Sequence, residues 1–315
     1  MANGARHPQH PRPRVNARTY MVRRAVALVL VVALGVGLYT LVGAFVGGDD
    51  APAATVGSPV TVTVVNDGVT PTTLGATTTS TLPPKEQTVP TAADPAELLI
   101  IGDSDAGTFG PYLETLMDQT GIVATTLEYE VSTGLSRADY FDWAAHMRDV
   151  LPPVNPDIVV VTFGGNDAQA IGNPDGSWAI EYVPASGDRD DEWKAIYAER
   201  VGAAMDYLSA DNRTLIWVGI PNDDNPEVTA RLQVQDEVVR AEAAKRPHVV
   251  FIDTWARFSG VNGGWAEYLT DPRDGVGKDV RADDGFHLNV TGAEILALDI
   301  AEAVRAELRN RGANI

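Results

Sequence analysis

Three short segments carry residues whose types and spacing suit acyl-transfer chemistry. Gly102-Asp103-Ser104 follows the apolar run Leu98–Ile101, and Gly164-Gly165-Asn166-Asp167 follows the run Ile158–Phe163. Asp284-Gly285-Phe286-His287 stands just before a long helical pattern. A serine hydroxyl is a weak nucleophile until a base removes its proton, and imidazole does this near neutral pH. Histidine is scarce in the chain. His7 and His10 fall in the N-terminal tail, His146 lies within a helical pattern, and His248 opens a strand after Pro247. Only His287 has a carboxylate three residues earlier in a glycine-containing loop. It is therefore the candidate base, and Asp284 is the group that would fix its tautomer and stabilise the imidazolium. The Asn166 amide offers a donor to a developing oxyanion, beside glycines that let the backbone approach a substrate. Each segment also has a plainer reading: a strand-to-helix turn with Asp103 or Ser104 as cap, a turn of residues tolerant of positive φ, and a loop with an exposed histidine.

The elements that must position these residues read as alternating strand and helix from about Glu97 onward. Strands are expected at Leu98–Ile101, Ile122–Tyr129, Ile158–Phe163, Thr214–Gly219 and Val249–Ile252. Helical spacing is expected over Tyr112–Gln119, Ala138–Val150, Glu192–Ala210, Val228–Lys245 and Val290–Arg311, the last with Asn289 as N-cap. The continuous apolar runs suit strands buried on both faces. Five strands with intervening helices imply an α/β fold, a three-layer α/β/α sandwich around a parallel sheet. Such sheets bind ligands beyond the carboxyl ends of their strands, where two of the three segments fall.

Taken together and in this order, the segments resemble the SGNH/GDSL hydrolase superfamily over about residues 97–311. The resemblance implies a flavodoxin-like SGNH hydrolase fold, with Ser104 of the GDS block as nucleophile. It implies a second block at Ser132-Thr133-Gly134-Leu135-Ser136, whose Gly134 N–H joins the oxyanion hole with the Ser104 N–H and the Asn166 side chain of the GxND block. Asp284 and His287 match the DxxH block. Two departures stand out. Asp105 follows the nucleophile where the family usually has an apolar or small residue, and Asp283 adjoins Asp284. No G-x-S-x-G elbow occurs, which separates the chain from ordinary α/β-hydrolases. The implied activity is a serine esterase that removes an acyl group, acetyl in the first instance, from a glycan or small ester. The alternatives are an O-acyltransferase to cell-envelope glycan using the same residues, and a non-catalytic binding domain that keeps the fold.

Charge and composition narrow the field further. The chain of 315 residues has a formal charge of −19. Its first 48 residues hold six arginines and no acid, which leaves 18 basic against 43 acidic side chains beyond them. Such a domain should repel nucleic acid, whose phosphates need Lys and Arg. With no cysteine, disulfides, thiolate metal sites and a Cys nucleophile are excluded. No P-loop and no G-x-G-x-x-G after a strand is present, so no nucleotide cofactor is expected, and none of any other kind or metal is inferred. The segment Asp188–Glu192 lacks the ligand spacing of a calcium loop and reads as a solvated loop. Trp178, Tyr182, Trp193, Trp255 and Trp265 either line a glycan or acyl pocket or simply pack.

The N-terminal part reads as an anchor. Residues 1–24 form a basic tail, 25–47 an apolar stretch, 48–95 a Thr/Pro-rich linker and 96–315 the folded domain. Ala25–Val46 is uncharged and 22 residues long, enough to cross a bilayer as a helix. Arg23 and Arg24 precede it, and Asp49 and Asp50 follow it. The positive-inside rule then places the tail in the cytoplasm and the domain outside a cell membrane. A cleaved signal peptide ending near Ala51-Pro52-Ala53 is the alternative. Within the linker, Val60–Val65 is a possible short strand.

Overall fold

The computed structural model describes residues 84–315 other than Asp188. The basic tail, the apolar stretch 25–47, the linker as far as residue 83 and the expected strand at 60–65 lie outside the described residues. Among those described, no helix is long and apolar enough to cross a membrane.

Five parallel strands form the central sheet: β1 (Ala96–Gly102), β2 (Val123–Tyr129), β3 (Ile158–Thr162), β6 (Thr214–Val218) and β7 (Val249–Ile252), in the order β2-β1-β3-β6-β7. The connecting helices are α1 (Ser104–Asp118), α2 (Trp143–Val154), α3 (Asp190–Leu208) and α4 (Pro226–Ala244). A short α5 (Thr254–Arg257) and the long α6 (Val290–Asn310) complete the helices. Two small antiparallel ribbons lie outside the sheet, β4 (Ile171–Gly172) with β5 (Trp178–Ile180) and β8 (Tyr268–Thr270) with β9 (Gly277–Asp279). From β1 the chain moves one way through α1 to the edge strand β2, then crosses back through α2 to β3. The order thus reverses between β1 and β3, which is where an open α/β sheet offers its ligand crevice.

Side-chain alternation along the strands builds the two cores. Leu98, Ile100, Ile158, Val160, Ile216 and Val218 face the layer of α1 and α6, packing with Phe109, Leu113, Ile300 and Val304. Leu99, Ile101, Val159, Val161, Leu215 and Trp217 face the other layer, packing with Trp143, Tyr197, Met205 and Val238. Opposite faces of successive residues follow from the pleat, and burial on both sides explains the unbroken apolar runs.

Several helix boundaries differ from the expected ones. The first helix begins at Ser104, eight residues earlier than its spacing suggested, and runs through Gly107, Gly110 and Pro111. The glycines that disguised it bring the helix close to β2: a Cβ on Gly107 would lie 2.5 Å from the Tyr129 ring, and one on Gly110 2.6 Å from Leu127. The second helix starts later than expected, at Trp143, where the Asp142 carboxylate accepts from Ala145 N–H at 3.0 Å. Asp190, Asp191 and Glu192, expected in a solvated loop, form the first turn of α3, where acids complement the helix dipole. In the stretch expected as linker, Lys85 is tied to the domain: its Nζ lies 2.7 Å from Asn155 O and 2.8 Å from the Asp157 carboxylate.

Candidate active site

Gly102 ends β1 level with Thr162 of β3 and Tyr129 of β2, so the three loops that follow start side by side. Only glycine fits there: φ is +153°, and a Cβ would stand 2.1 Å from Thr162 O. Asp103 then caps α1, accepting from Asp105 N–H at 3.0 Å, and Ser104 becomes the first residue of that helix. The cap reading and the nucleophile reading are both accommodated, because Asp103 takes the cap and leaves the Ser104 hydroxyl available. The Ser104 N–H belongs to the first turn, whose amides have no intrahelical partner and sit at the positive end of the dipole.

Ser104 Oγ lies 2.9 Å from His287 Nε2, and His287 Nδ1 lies 2.5 Å from Asp284 Oδ2. Residues 183 positions apart are thus joined in a serine–imidazole–carboxylate relay. Asp284 Oδ1 also accepts from the backbone N–H of Phe286 and of His287, at 3.1 and 3.0 Å, so the carboxylate shapes the loop that carries the histidine. Partial burial pushes the Asp284 pKa up, but the hydrogen bond and charge of His287 outweigh this and hold it below the usual carboxylate value. Asp283 is exposed, and the histidine contact goes to Asp284, as the DxxH spacing indicates. The other histidines of the domain stand elsewhere: His146 beside Glu128, and His248 against Ser209, whose hydroxyl already donates to Met205 O.

Two buried aspartates fasten the loops together. The Asp103 carboxylate accepts from the backbone N–H of Gly164 and Gly165 at 3.0 and 3.2 Å, locking the loop after β3 against the serine turn. Burial, reinforced by Asp105, raises its pKa well above the usual range. Asp167 accepts from Ser136 N–H and from the Tyr197 hydroxyl, both at 2.7 Å. Burial raises its pKa as well. Asp167 also explains the glycine at 134, since a Cβ there would meet Asp167 Oδ1 at 2.1 Å. The turn carrying Asn166, half-buried, is therefore bound on one side to the serine turn and on the other to the Gly134 loop. Four sequence blocks converge at the carboxyl ends of β1 and β3, around the switch point of the sheet.

The base loop has its own support. The buried Arg281 guanidinium donates to Phe286 O and Asn222 O at 2.9 Å, Asn222 Oδ1 at 2.7 Å and Phe258 O at 3.0 Å. Burial lowers its pKa to about 10. Trp265 donates its indole N–H to Gly285 O at 2.7 Å, and Trp255 packs near Phe286. Trp193 is buried and stacked on Tyr197, Trp178 lies under Arg137, and Tyr182 lies under Arg189. The roles of Asp103, Asp167, Tyr197 and Arg281 as ties escaped the sequence reading. The aspartates were visible inside their motifs, whereas Arg281 carries no local signature.

Asp105 is 7% exposed, and its Oδ2 has no hydrogen-bond partner among the described residues. Burial raises its pKa, against the pull of His287 and Arg281. It lies under the Gly165 turn rather than in solvent beside the serine: a Cβ on Gly165 would stand 3.4 Å from Asp105 Oδ2. Among the described residues no cluster of three or more His, Asp or Glu is arranged to hold a metal ion.

A family profile described as "Protein of unknown function (DUF459)" matches residues 97–303, the whole span from β1 into α6. The chain belongs to that family. No curated protein matches it. Among solved structures it is similar to a GDSL-like lipase from Bacteroides thetaiotaomicron, with 15% identity, a TM-score of 0.44, and 69% of this chain and 94% of that one covered. It is similar to an acetyl xylan esterase with 18% identity, a TM-score of 0.44, and 66% and 99% covered. A carbohydrate esterase family 3 structure from Talaromyces cellulolyticus shows 14% identity, a TM-score of 0.42, and 68% and 98% covered.

Proposed function

We propose that this protein is a serine esterase, anchored in a cell membrane by residues 25–47 with its domain outside, that acts on an ester of a glycan or small alcohol. The observation that carries the reading is the relay from Ser104 through His287 to Asp284. His287 Nε2 takes the proton from Ser104 Oγ as Oγ attacks the ester carbonyl carbon. Negative charge moves to the carbonyl oxygen, facing the N–H groups of Ser104 and Gly134 and the Asn166 side-chain amide. When the C–O bond to the alcohol breaks, His287 returns the proton to the leaving oxygen, leaving an acyl-serine. Water, deprotonated by the same imidazole, releases the acid and restores the serine. Asp284 holds the imidazole tautomer and offsets the charge it gains. An acyltransferase would use the same steps, with a sugar hydroxyl in place of that water.

The test is hydrolysis of p-nitrophenyl acetate by the full-length protein in detergent. Ser104→Ala and His287→Ala should each lower kcat by ~10⁴-fold or more, as removal of a member of such a triad does, with the folded state retained by circular dichroism. An inert wild type, or full activity in Ser104→Ala, overturns the reading. Product that appears only when a sugar acceptor is added identifies the transferase. The anchor is supported by the apolar length and flanking charges of residues 25–47. It is checked by protease added outside spheroplasts, which should digest the domain while the protein still pellets with membranes.

A further inference from the structure

An open groove runs between α2 and α3 on the flank of the sandwich. It encloses about 450 Å³, within the range of small-molecule sites. Its existence follows from residue size. Ala144 on α2 and Ala203 and Ala204 on α3 line it, with Ala138 and Ala179 from neighbouring loops, so the side chains there are too short to fill the space between the helices. Trp143 and Met147, both buried, form part of its lining. From α3 the lining residues are Ile196, Glu199, Arg200, Ala203, Ala204 and Tyr207, one face of the helix at i, i+3 and i+4 spacing. At 1.5 Å per residue that face is about 16 Å long, the proportions of a channel rather than a dimple.

Two features say what kind of ligand the groove takes. Its lining is mostly apolar, Arg148 and Glu199 there are exposed, and two of the remaining polar groups are committed elsewhere. Trp143 Nε1 donates to Thr133 Oγ1 at 2.9 Å, and Arg200 donates to Leu135 O, Ser136 O and Asn173 Oδ1 at 2.8, 3.1 and 3.0 Å. Below those exposed charges, a sugar would lose water from hydroxyls that the apolar lining cannot pair, which costs free energy for each one. An alkyl chain loses nothing and gains burial. The groove also shares a wall with the candidate oxyanion hole: Gly134 and Leu135 line it, and the same loop is fixed by Asp167 through Ser136 N–H.

We infer that this groove between α2 and α3, opening at the Gly134 loop, binds the acyl chain of the substrate, an unbranched apolar chain longer than acetyl. The inference rests on the serine-esterase reading and refines its substrate class, replacing the acetyl group expected from the sequence. The experiment compares p-nitrophenyl acetate, butyrate and octanoate as substrates of the full-length protein and of Ala203→Trp, whose exposed position on the groove rim accepts a large side chain without disturbing the core. Burial of a methylene contributes about 0.8 kcal/mol, so wild-type kcat/KM should rise by up to about fourfold per added methylene. Ala203→Trp should cut octanoate turnover at least ~10-fold while leaving acetate turnover within ~2-fold, since it removes burial of several methylenes. Octanoate turnover that is absent in a wild type that hydrolyses acetate, or lowered by Ala203→Trp only as much as acetate turnover, overturns the inference. A second measurement needs no turnover: Ser104→Ala should bind a fluorescent dodecanoate probe, and the added Ala203→Trp change should weaken that binding. Probe binding that is absent or insensitive to Ala203→Trp overturns the groove assignment even if acetate is hydrolysed. Intact probe binding with no ester turned over overturns the esterase reading alone.

Discussion

The two halves of the candidate site are built in opposite ways. On the serine side, Asp103 and Asp167 are 0% exposed and spend their oxygens on backbone N–H groups and one tyrosine hydroxyl. On the base side, the Asp284 side chain is 52% exposed and turns one oxygen to an imidazole that is itself 32% exposed. All three aspartates lie within the motifs that point to acyl transfer, yet their environments divide the work. The buried pair acts as mortar, drawing three loops into fixed register, and burial raises their pKa values. The exposed one hydrogen-bonds the His287 imidazole, which lowers its pKa against the effect of partial burial. Position in a motif identifies a carboxylate, while burial and partners decide whether it holds structure or tunes chemistry.

The largest break in this comparison should come from Asp284→Ala. Loss of the orienting carboxylate is expected to lower kcat on p-nitrophenyl acetate by ~10⁴-fold, the scale of an imidazole left without its partner. The melting temperature should stay within ~3 °C, because exposed ion pairs contribute little to stability. A large drop in melting temperature with kcat preserved would reverse the roles assigned to the two halves. Asp103→Ala should behave in the opposite sense. It strips the acceptor from three backbone N–H groups, those of Asp105, Gly164 and Gly165. Each buried donor left unpaired costs about 1–3 kcal/mol, so a loss of at least ~3 kcal/mol and ~6–12 °C in melting temperature is expected. Unchanged thermal stability in this variant would show that Asp103 is not mortar.

Legibility in the sequence followed the same division. The strands β1, β3 and β6 were plain because burial on both faces demands unbroken apolar runs. The pairing of Ser104, His287 and Asp284 was legible because few residue types suit acyl transfer and histidine is scarce in this chain. The mortar was harder to read. Asp103 reaches Gly164 across 61 positions, and Asp167 reaches Tyr197 across 30. Such pairings depend on which strands become neighbours, and no local period reports that. The start of α1 was hidden because Gly107 and Gly110 serve close approach to β2, a tertiary demand that overrides helix propensity. Arg281 was invisible for a similar reason: its acceptors belong to Asn222, Phe258, Ala266 and Phe286, brought together only by the fold.

The smallest expected effect sharpens the comparison through the sign of its pH dependence. Asp284 has a lowered pKa in the folded state. Its contribution to stability is present above the unfolded carboxylate value near pH 4 and is lost as pH falls through the folded value. Asp167 has a raised pKa because burial disfavours its charge. Between pH ~4 and its folded value the native state holds a proton that the unfolded chain has released, so stability falls as pH rises through that window. Melting curves of wild type, Asp284→Asn and Asp167→Asn from acid to neutral pH separate the two. Wild type should gain on Asp284→Asn as pH climbs past ~4, by less than about 1 kcal/mol because solvent screens the exposed pair. Over the same range wild type should lose ground relative to Asp167→Asn, whose amide does not titrate. If both variants run parallel to wild type, burial does not distinguish these carboxylates. If the two slopes exchange signs, the proton sits on the half of the site opposite to the one assigned.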